Sequence, residues 1–239
     1  MNIILFDALN AENFLPADDY RALHIKKVLR LGVGDRFTAG IINGNGGEAT
    51  LLSVKPDGIV FSFQASGDAV PRLYPVTLLV SQVRPISMRR ILREAVSLGV
   101  AEIVLVATDS AEKSYARAKL YESGEYRSIL IDGAMQSGST TVSDVSFASS
   151  AEDAIAHLGY DGQRIVLDNK RRGTPLSTMS VAPESVVLAI GGERGFSDRE
   201  RDLFEESGFR FATLGSRILR TETAVSAGLA VLLGRMGLL

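Results

Sequence analysis

The sequence of 239 residues has no cysteine. That absence excludes a disulfide scaffold, a thiolate zinc site and a cysteine nucleophile at once. Only two histidines occur, His24 and His157, so a histidine-built metal centre is not expected. Long apolar runs are missing too. The longest, Ala224 to Leu233, is interrupted by Ser226 and is about half of the roughly 20 residues that a membrane span needs. The opening MNIILFDALN lacks a basic leader and a small-residue cleavage site, so it does not read as a signal peptide. Neither sign of charge dominates, with 26 basic and 28 acidic residues and a net charge of −2. Hydrophobic residues make up 46% and the mean hydropathy is +0.14, enough apolar material for a real core. The expectation is a cytoplasmic globular protein of one large or two small domains.

The balanced total conceals basic clusters. Residues 20–36 carry Arg21, Lys26, Lys27, Arg30 and Arg36 against the single acid Asp35, and residues 84–93 carry Arg84, Arg89, Arg90 and Arg93 against none. Lys170, Arg171 and Arg172 are adjacent, and Arg210, Arg217 and Arg220 precede Glu222 without an intervening acid. Phosphate binding depends on such local concentrations. The plainer reading of each cluster is a solvated helix face.

Two regions differ in pattern. In the first 70 or so residues, Asn2–Phe6 reads as a strand, and Asp18 reads as the cap of a helix that ends near Leu31 before Gly32. Short strands follow at Arg36–Ile42, Glu48–Val54 and Ile59–Gln64, separated by the turn sequences NGNGG and KPDG. This pattern predicts a small barrel or half-barrel. Ser66–Pro75 reads as the linker. Beyond it strands alternate with helices. Val76–Val80, Glu102–Ala107, Arg164–Leu167, Val186–Ile190 and Phe209–Leu214 are the strands. The helices are Pro85–Leu98, Tyr121–Met135, Ala151–Leu158, a segment capped by Ser197 with Glu200 in a capping box, and Thr221–Met236. Alternation of this kind predicts a parallel α/β sheet covered on both faces. In the last helix Val225, Leu229, Leu232, Leu233 and Met236 exceed what one face buries against a sheet, which predicts a partner subunit.

In such sheets ligands gather beyond the carboxyl ends of strands. Three ends are chemically loaded: the one at Leu167-Asp168, the loop Gly191-Gly-Glu-Arg-Gly-Phe196, and the loop Gly215-Ser-Arg-Ile-Leu-Arg-Thr-Glu-Thr-Ala224. The glycines allow main chain to approach a ligand. The first loop is neither a dinucleotide fingerprint nor a Walker loop, and Glu193 in it would repel a pyrophosphate. It suits a ligand with a positive centre, or it merely turns the chain. The second loop mixes apolar Ile218 and Leu219, which look buried, with Arg220 and Glu222. It suits a neutral adenine beside a substrate, or it is a helix cap with Thr221 at the N-cap. A small-molecule enzyme that grips phosphate with the first loop is a third reading; the missing lysine counts against it.

Both loops, Ile190-Gly-Gly-Glu-Arg-Gly-Phe-Ser197 and Leu214-Gly-Ser-Arg-Ile-Leu-Arg-Thr-Glu-Thr-Ala224, resemble the signature loops of the 16S ribosomal RNA uridine N3-methyltransferases, a family of the SPOUT superfamily. His24-Ile-Lys-Lys-Val-Leu-Arg30 with Val33-Gly-Asp35 resembles that family's PUA-like RNA-binding domain. Arg93-Glu-Ala-Val-Ser-Leu-Gly-Val100 and Ala134-Met-Gln-Ser-Gly138 are similar to two further stretches. The resemblance runs in order over nearly the whole chain. It implies a PUA-like domain at 1–71, a SPOUT domain with a trefoil knot at 72–239 and a homodimer; composition and apolar run length, not the resemblance, are the grounds for expecting no metal and no membrane. It also implies S-adenosylmethionine as methyl donor for N3 of a uridine in 16S ribosomal RNA, free or within the small subunit.

Carried over by position, the donor residues are Leu167, Ile190, Gly191, Gly192, Glu193, Gly195, Leu214, Gly215, Ile218, Leu219, Thr223 and Ala224. Arg220 and Glu222 take the catalytic roles: a cation for the charge spreading over uracil, and a proton acceptor. Arg21, His24, Lys26, Lys27, Arg30 and Arg36 form the RNA-binding set. The chain departs from the family at Gly192 (usually proline), Arg194 (glycine), Ser216 (proline), Met135 (glutamate) and Ser139 (arginine). Arg194, Met135 and Ser139 carry the alternative, a ribosomal RNA-binding protein of the same fold with impaired catalysis.

Overall fold

A computed structural model describes residues 2–159 and 162–239. The chain forms two compact units, Met1–Arg72 with Ala134–Val142, and Leu73–Gly133 with Ser143–Leu239.

In the first unit, β1 (Ile4–Phe6), β2 (Glu12–Pro16), β3 (Arg36–Ile41), β4 (Gly46–Val54) and β5 (Gly58–Ala65) form a half-barrel in the order β1-β3-β4-β5-β2. Its one parallel pair is β1 with β3. Alternate inward residues, Phe37 and Ala39, Ala49 and Leu51, Ile59 and Phe61, close over Ile4, Phe6 and Ile25, as period-two patterning requires. The segment after Gly133 adds to this unit: the Met135 carbonyl accepts from the amides of Asn2 and Ile3, and the Thr140 carbonyl from Asn43.

The predicted helix is shorter than expected. Its cap is Asp19, not Asp18, and α1 (Tyr20–Leu23) passes directly into a π-helical turn, His24–Val28. The chain leaves through Arg30 at φ 56°, so Gly32 is not the terminator. Strand β2 escaped prediction because its exposed Glu12, Phe14 and Pro16 around half-buried Asn13 blur the apolar signal.

The second unit is built on seven strands. They are β6 (Tyr74–Ser81), β7 (Val100–Val106), β8 (Asp144–Ala148), β9 (Gln163–Leu167), β10 (Thr174–Pro175), β11 (Val186–Ile190) and β12 (Arg210–Thr213). The order is β10-β12-β9-β11-β6-β7-β8, and every pair is parallel. Six α-helices accompany it among the described residues, the last turn of α4 passing into the first unit: α2 (Pro85–Ser97), α3 (Lys119–Glu122), α4 (Glu125–Ser137), α5 (Ala151–His157), α6 (Asp198–Glu206) and α7 (Thr221–Arg235). The predicted helix over Tyr121–Met135 is two helices, broken where Gly124 adopts φ 72°. β8 and β10 were not expected; β8 is half-exposed and β10 is two residues long.

Both faces of the sheet are covered. Val187 and Ala189 of β11 point into a cluster with Phe196, Phe204 and Phe209. Leu188 and Ile190 point the other way, where Gly228 of α7 comes so close that a Cβ there would lie 2.7 Å from Leu167 Cδ1. The apolar surplus of α7 is absorbed here: Val225, Leu229, Leu232, Leu233 and Met236 are all buried within the single chain. That corrects the inference of a partner from this helix, because the two-helix contact with α2 covers what the sheet does not.

Candidate functional site

The carboxyl ends of β9, β11 and β12 open on one cavity of about 260 Å³. Leu167 and Ile190 end their strands as its apolar floor, Gly191–Gly195 forms one wall, and Leu214, Gly215, Ile218 and Leu219 form another. Every predicted donor residue lines it except Thr223, which is exposed on the first turn of α7. Asp168, Asn169, Lys170, Arg194, Ala212, Thr213, Arg217 and Thr221 also line it. Asp168, Asn169, Lys170, Ala212 and Thr213 lie at the strand ends that the two loops do not include, whereas Arg194, Arg217 and Thr221 stand inside the loops and are absent from the predicted donor set.

The glycines are required by geometry. A Cβ on Gly191 would lie 2.9 Å from the Cα and carbonyl carbon of Gly195, and one on Gly192 would lie 2.9 Å from Ser81 Oγ, distances real side chains do not reach. Gly195 and Gly215 hold φ 68° and 110°, conformations that other residues rarely adopt. Beneath the first loop, Ser81 and Thr108 share a buried hydrogen bond of 2.6 Å. The loop ends in the expected capping box, with Ser197 Oγ accepting from the Glu200 amide and Glu200 Oε2 from the Ser197 amide. Fully buried Glu200 also accepts from the Asp109 amide through Oε1. Asp109 in turn is held below the usual carboxylate range by the Arg199 guanidinium and the Ser197 hydroxyl.

Three expectations change. Ile218 and Leu219 are not buried: Ile218 is 83% exposed, an apolar side chain standing open at the cavity. Thr221 is not the cap of α7; Arg220 is, and Thr221 is the first helical residue, its hydroxyl donating to the Gly191 carbonyl at 3.4 Å. Neither catalytic candidate lines the cavity. Arg220 is exposed, with no side-chain partner among the described residues, and Glu222 lies 4.0 Å from Arg90.

The RNA-binding candidates of the first unit divide. Arg21 is engaged, bonded to Asp19 and the Leu5 carbonyl and stacked 4.6 Å from the centre of the Phe6 ring. Arg36 pairs with Glu48. His24 keeps Nε2 buried without a partner, and burial lowers its pKa. Lys27 and Arg30 are exposed and Lys26 is half-buried. Around them Val28 and Val33 are about two-thirds exposed, a mixed apolar and basic surface. No group of three or more metal-ligating side chains occurs among the described residues, and no described helix is long and apolar enough to cross a membrane.

A parallel α/β sheet with a glycine-walled cavity at its carboxyl edge, in one chain with a half-barrel that carries an exposed basic turn, defines a class. Residues 71–233 match the model of the RNA methyltransferase domain, and residues 18–64 that of the RNA methyltransferase PUA domain. The chain belongs to this family of RNA methyltransferases. It is 36% identical to Ribosomal RNA small subunit methyltransferase E of Treponema pallidum (strain Nichols), over 98% of this chain and 91% of the relative. Two solved structures share the fold. One is a Ribosomal RNA small subunit methyltransferase E from Neisseria gonorrhoeae bound to S-adenosyl methionine, with TM-score 0.79, 24% identity, and coverage of 98% of this chain and 97% of that one. The other is a Legionella pneumophila protein in complex with the cofactor SAM, with TM-score 0.83, 22% identity, and the same coverage.

Proposed function

We propose that the chain transfers a methyl group from S-adenosylmethionine to N3 of a uridine in 16S ribosomal RNA. The observation that carries this reading is the convergence of three strand ends on one cavity lined by the residues that the signature loops single out. The cavity suits the donor: apolar Leu167, Ile190 and Leu219 can cover an adenine face while glycine main chain reads its edge. Bound there, the donor supplies an electrophilic methyl group on a sulfonium. The chain holds the acceptor in line, which supplies much of the acceleration. Uracil N3 must lose its proton to become nucleophilic. We assign Arg220 to the negative charge on O2 and O4, and Glu222 or a bound water to the proton. Arg220 is free for this role and flanked by Leu219 and Thr221 of the cavity wall.

The PUA-like unit, through Lys26, Lys27 and Arg30, is assigned to RNA phosphates. The trefoil knot and the homodimer follow from the resemblance; exposed Ile86 and Ile218 support a partner subunit, and analytical ultracentrifugation showing only monomer at micromolar concentration would refute it. Arg194, a cation on the cavity wall with no side-chain partner among the described residues, favours the second reading, an RNA-binding protein with impaired catalysis. Calorimetry with S-adenosylmethionine separates the two. Mass spectrometry of small-subunit RNA from a deletion strain tests the reaction itself: one methyl group on one uridine should disappear.

A further inference from the structure

Arg201 on α6 is 1% exposed, which is rare for an arginine. It stands behind the cavity wall and is not part of the lining. Its Nε donates to Asp168 Oδ2 at 2.9 Å, where both side chains are out of water, and its Nη1 donates to Asp198 Oδ1 at 2.8 Å. The third nitrogen, Nη2, is buried and has no partner. A Cβ on Gly195 would lie 3.4 Å from that Nη2, so the spare donor stands over the turn that closes the first glycine loop. Buried donors without acceptors are uncommon and costly.

Asp168 faces the other wall. Its Oδ1 accepts from the amides of Lys170 and Arg171, each at 2.7 Å, which sets the turn after β9. Asp168, Asn169, Lys170 and Gly195 all line the cavity. With both oxygens occupied, Asp168 acts as a strut, and Arg201 is what fixes it. Surface pairs from Arg171 to Asp202 and Glu205 fasten the same turn to α6.

We propose that Arg201 is a positioning residue that ties the β9 turn to the Gly191–Gly195 loop. Its buried Nη2 stands against the Gly195 turn while its Nε holds Asp168, so both walls rest on one guanidinium. The link to donor binding rests on the function proposed above; the tie between the two walls does not. Arg201→Lys keeps the charge for Asp168 but loses the forked donors.

Two measurements test it. In calorimetry with S-adenosylhomocysteine, Arg201→Lys should bind at least about tenfold more weakly than wild type, with thermal stability little changed. In amide hydrogen exchange of the free protein, Arg201→Lys should speed exchange at Gly195 and at Lys170 and Arg171 together. Should this variant fail to fold, Gly195→Ala strains the turn at φ 68° with its methyl 3.4 Å from Nη2, and faster exchange at Lys170 and Arg171 reads the same link. Wild-type affinity in the lysine variant, or exchange altered on one wall only, overturns the proposal. A wild-type protein that binds no S-adenosylhomocysteine refutes the donor reading instead, and the exchange result then decides on Arg201 alone.

Discussion

The cavity at the carboxyl ends of β9, β11 and β12 and the basic stretch Arg21–Arg36 gather functional residues by different physics. In the cavity the main chain does the gathering: parallel neighbours in register bring Leu167 and Ile190 side by side, so the loops that follow them must share a space. In the basic stretch each cation finds its own neighbours. Asp19 and Phe6 take Arg21, Glu48 takes Arg36, and Lys27 and Arg30 stay in solvent. A site made of backbone geometry is therefore inherited from topology, whereas a charge cluster is divided among ion pairs residue by residue.

The largest effect expected from this contrast is at Gly191. Gly191→Val must displace the backbone of Gly195, and donor affinity should fall at least about a hundredfold, near 2.7 kcal/mol; titration calorimetry on the folded variant measures it. Gly215→Val meets no neighbour within 4 Å, and its cost comes from φ 110° alone. About tenfold weaker binding, near 1.4 kcal/mol, is expected. Equal losses at the two glycines would show that close approach does not distinguish them.

On the other side of the comparison, Lys27→Ala with Arg30→Ala should weaken RNA binding and lower the slope of log K against log salt by about 0.7 to 0.9 per removed contact. Donor affinity should not move. Arg21→Ala should do the reverse, costing thermal stability and leaving the salt slope as it was. A salt slope that responds to Arg21 would break the division of this cluster into engaged and free cations.

The smallest effect is acid sensitivity at His24. Burial lowers its folded pKa below the ordinary 6.5, so the unfolded chain takes up a proton first as pH falls through that value. Stability present above about pH 6.5 should decline below it. His24→Gln should remove that part of the decline in a series of thermal melts.

How much of this could be read in advance follows the same line. Val186–Ile190 was legible to the residue, because five consecutive apolar positions bounded by Gly191 fit only a buried strand of that length. The capping box of Ser197 and Glu200 was legible because it is local. Ile218 and Leu219 were misread because apolar side chains next to a glycine loop look like core; their exposure depends on what the loop faces, which spacing does not encode. Arg201 passed unnoticed since its partner Asp168 lies on another element, and no local pattern marks a helix arginine as buried.

The position of β11 has a consequence for how the molecule is made. This strand pairs with β9 on one side and β6 on the other, so a nascent chain that has already joined β6 to β7 and β8 carries an open sheet edge until residues 186–190 are synthesised. Pairing across such separations is slow, and the cavity needs β9, β11 and β12 together. A molecule that fills the cavity then holds only the finished fold, shifting the balance toward it by mass action. The cavity is thus also the place from which a small ligand would rescue damaged folding of this chain.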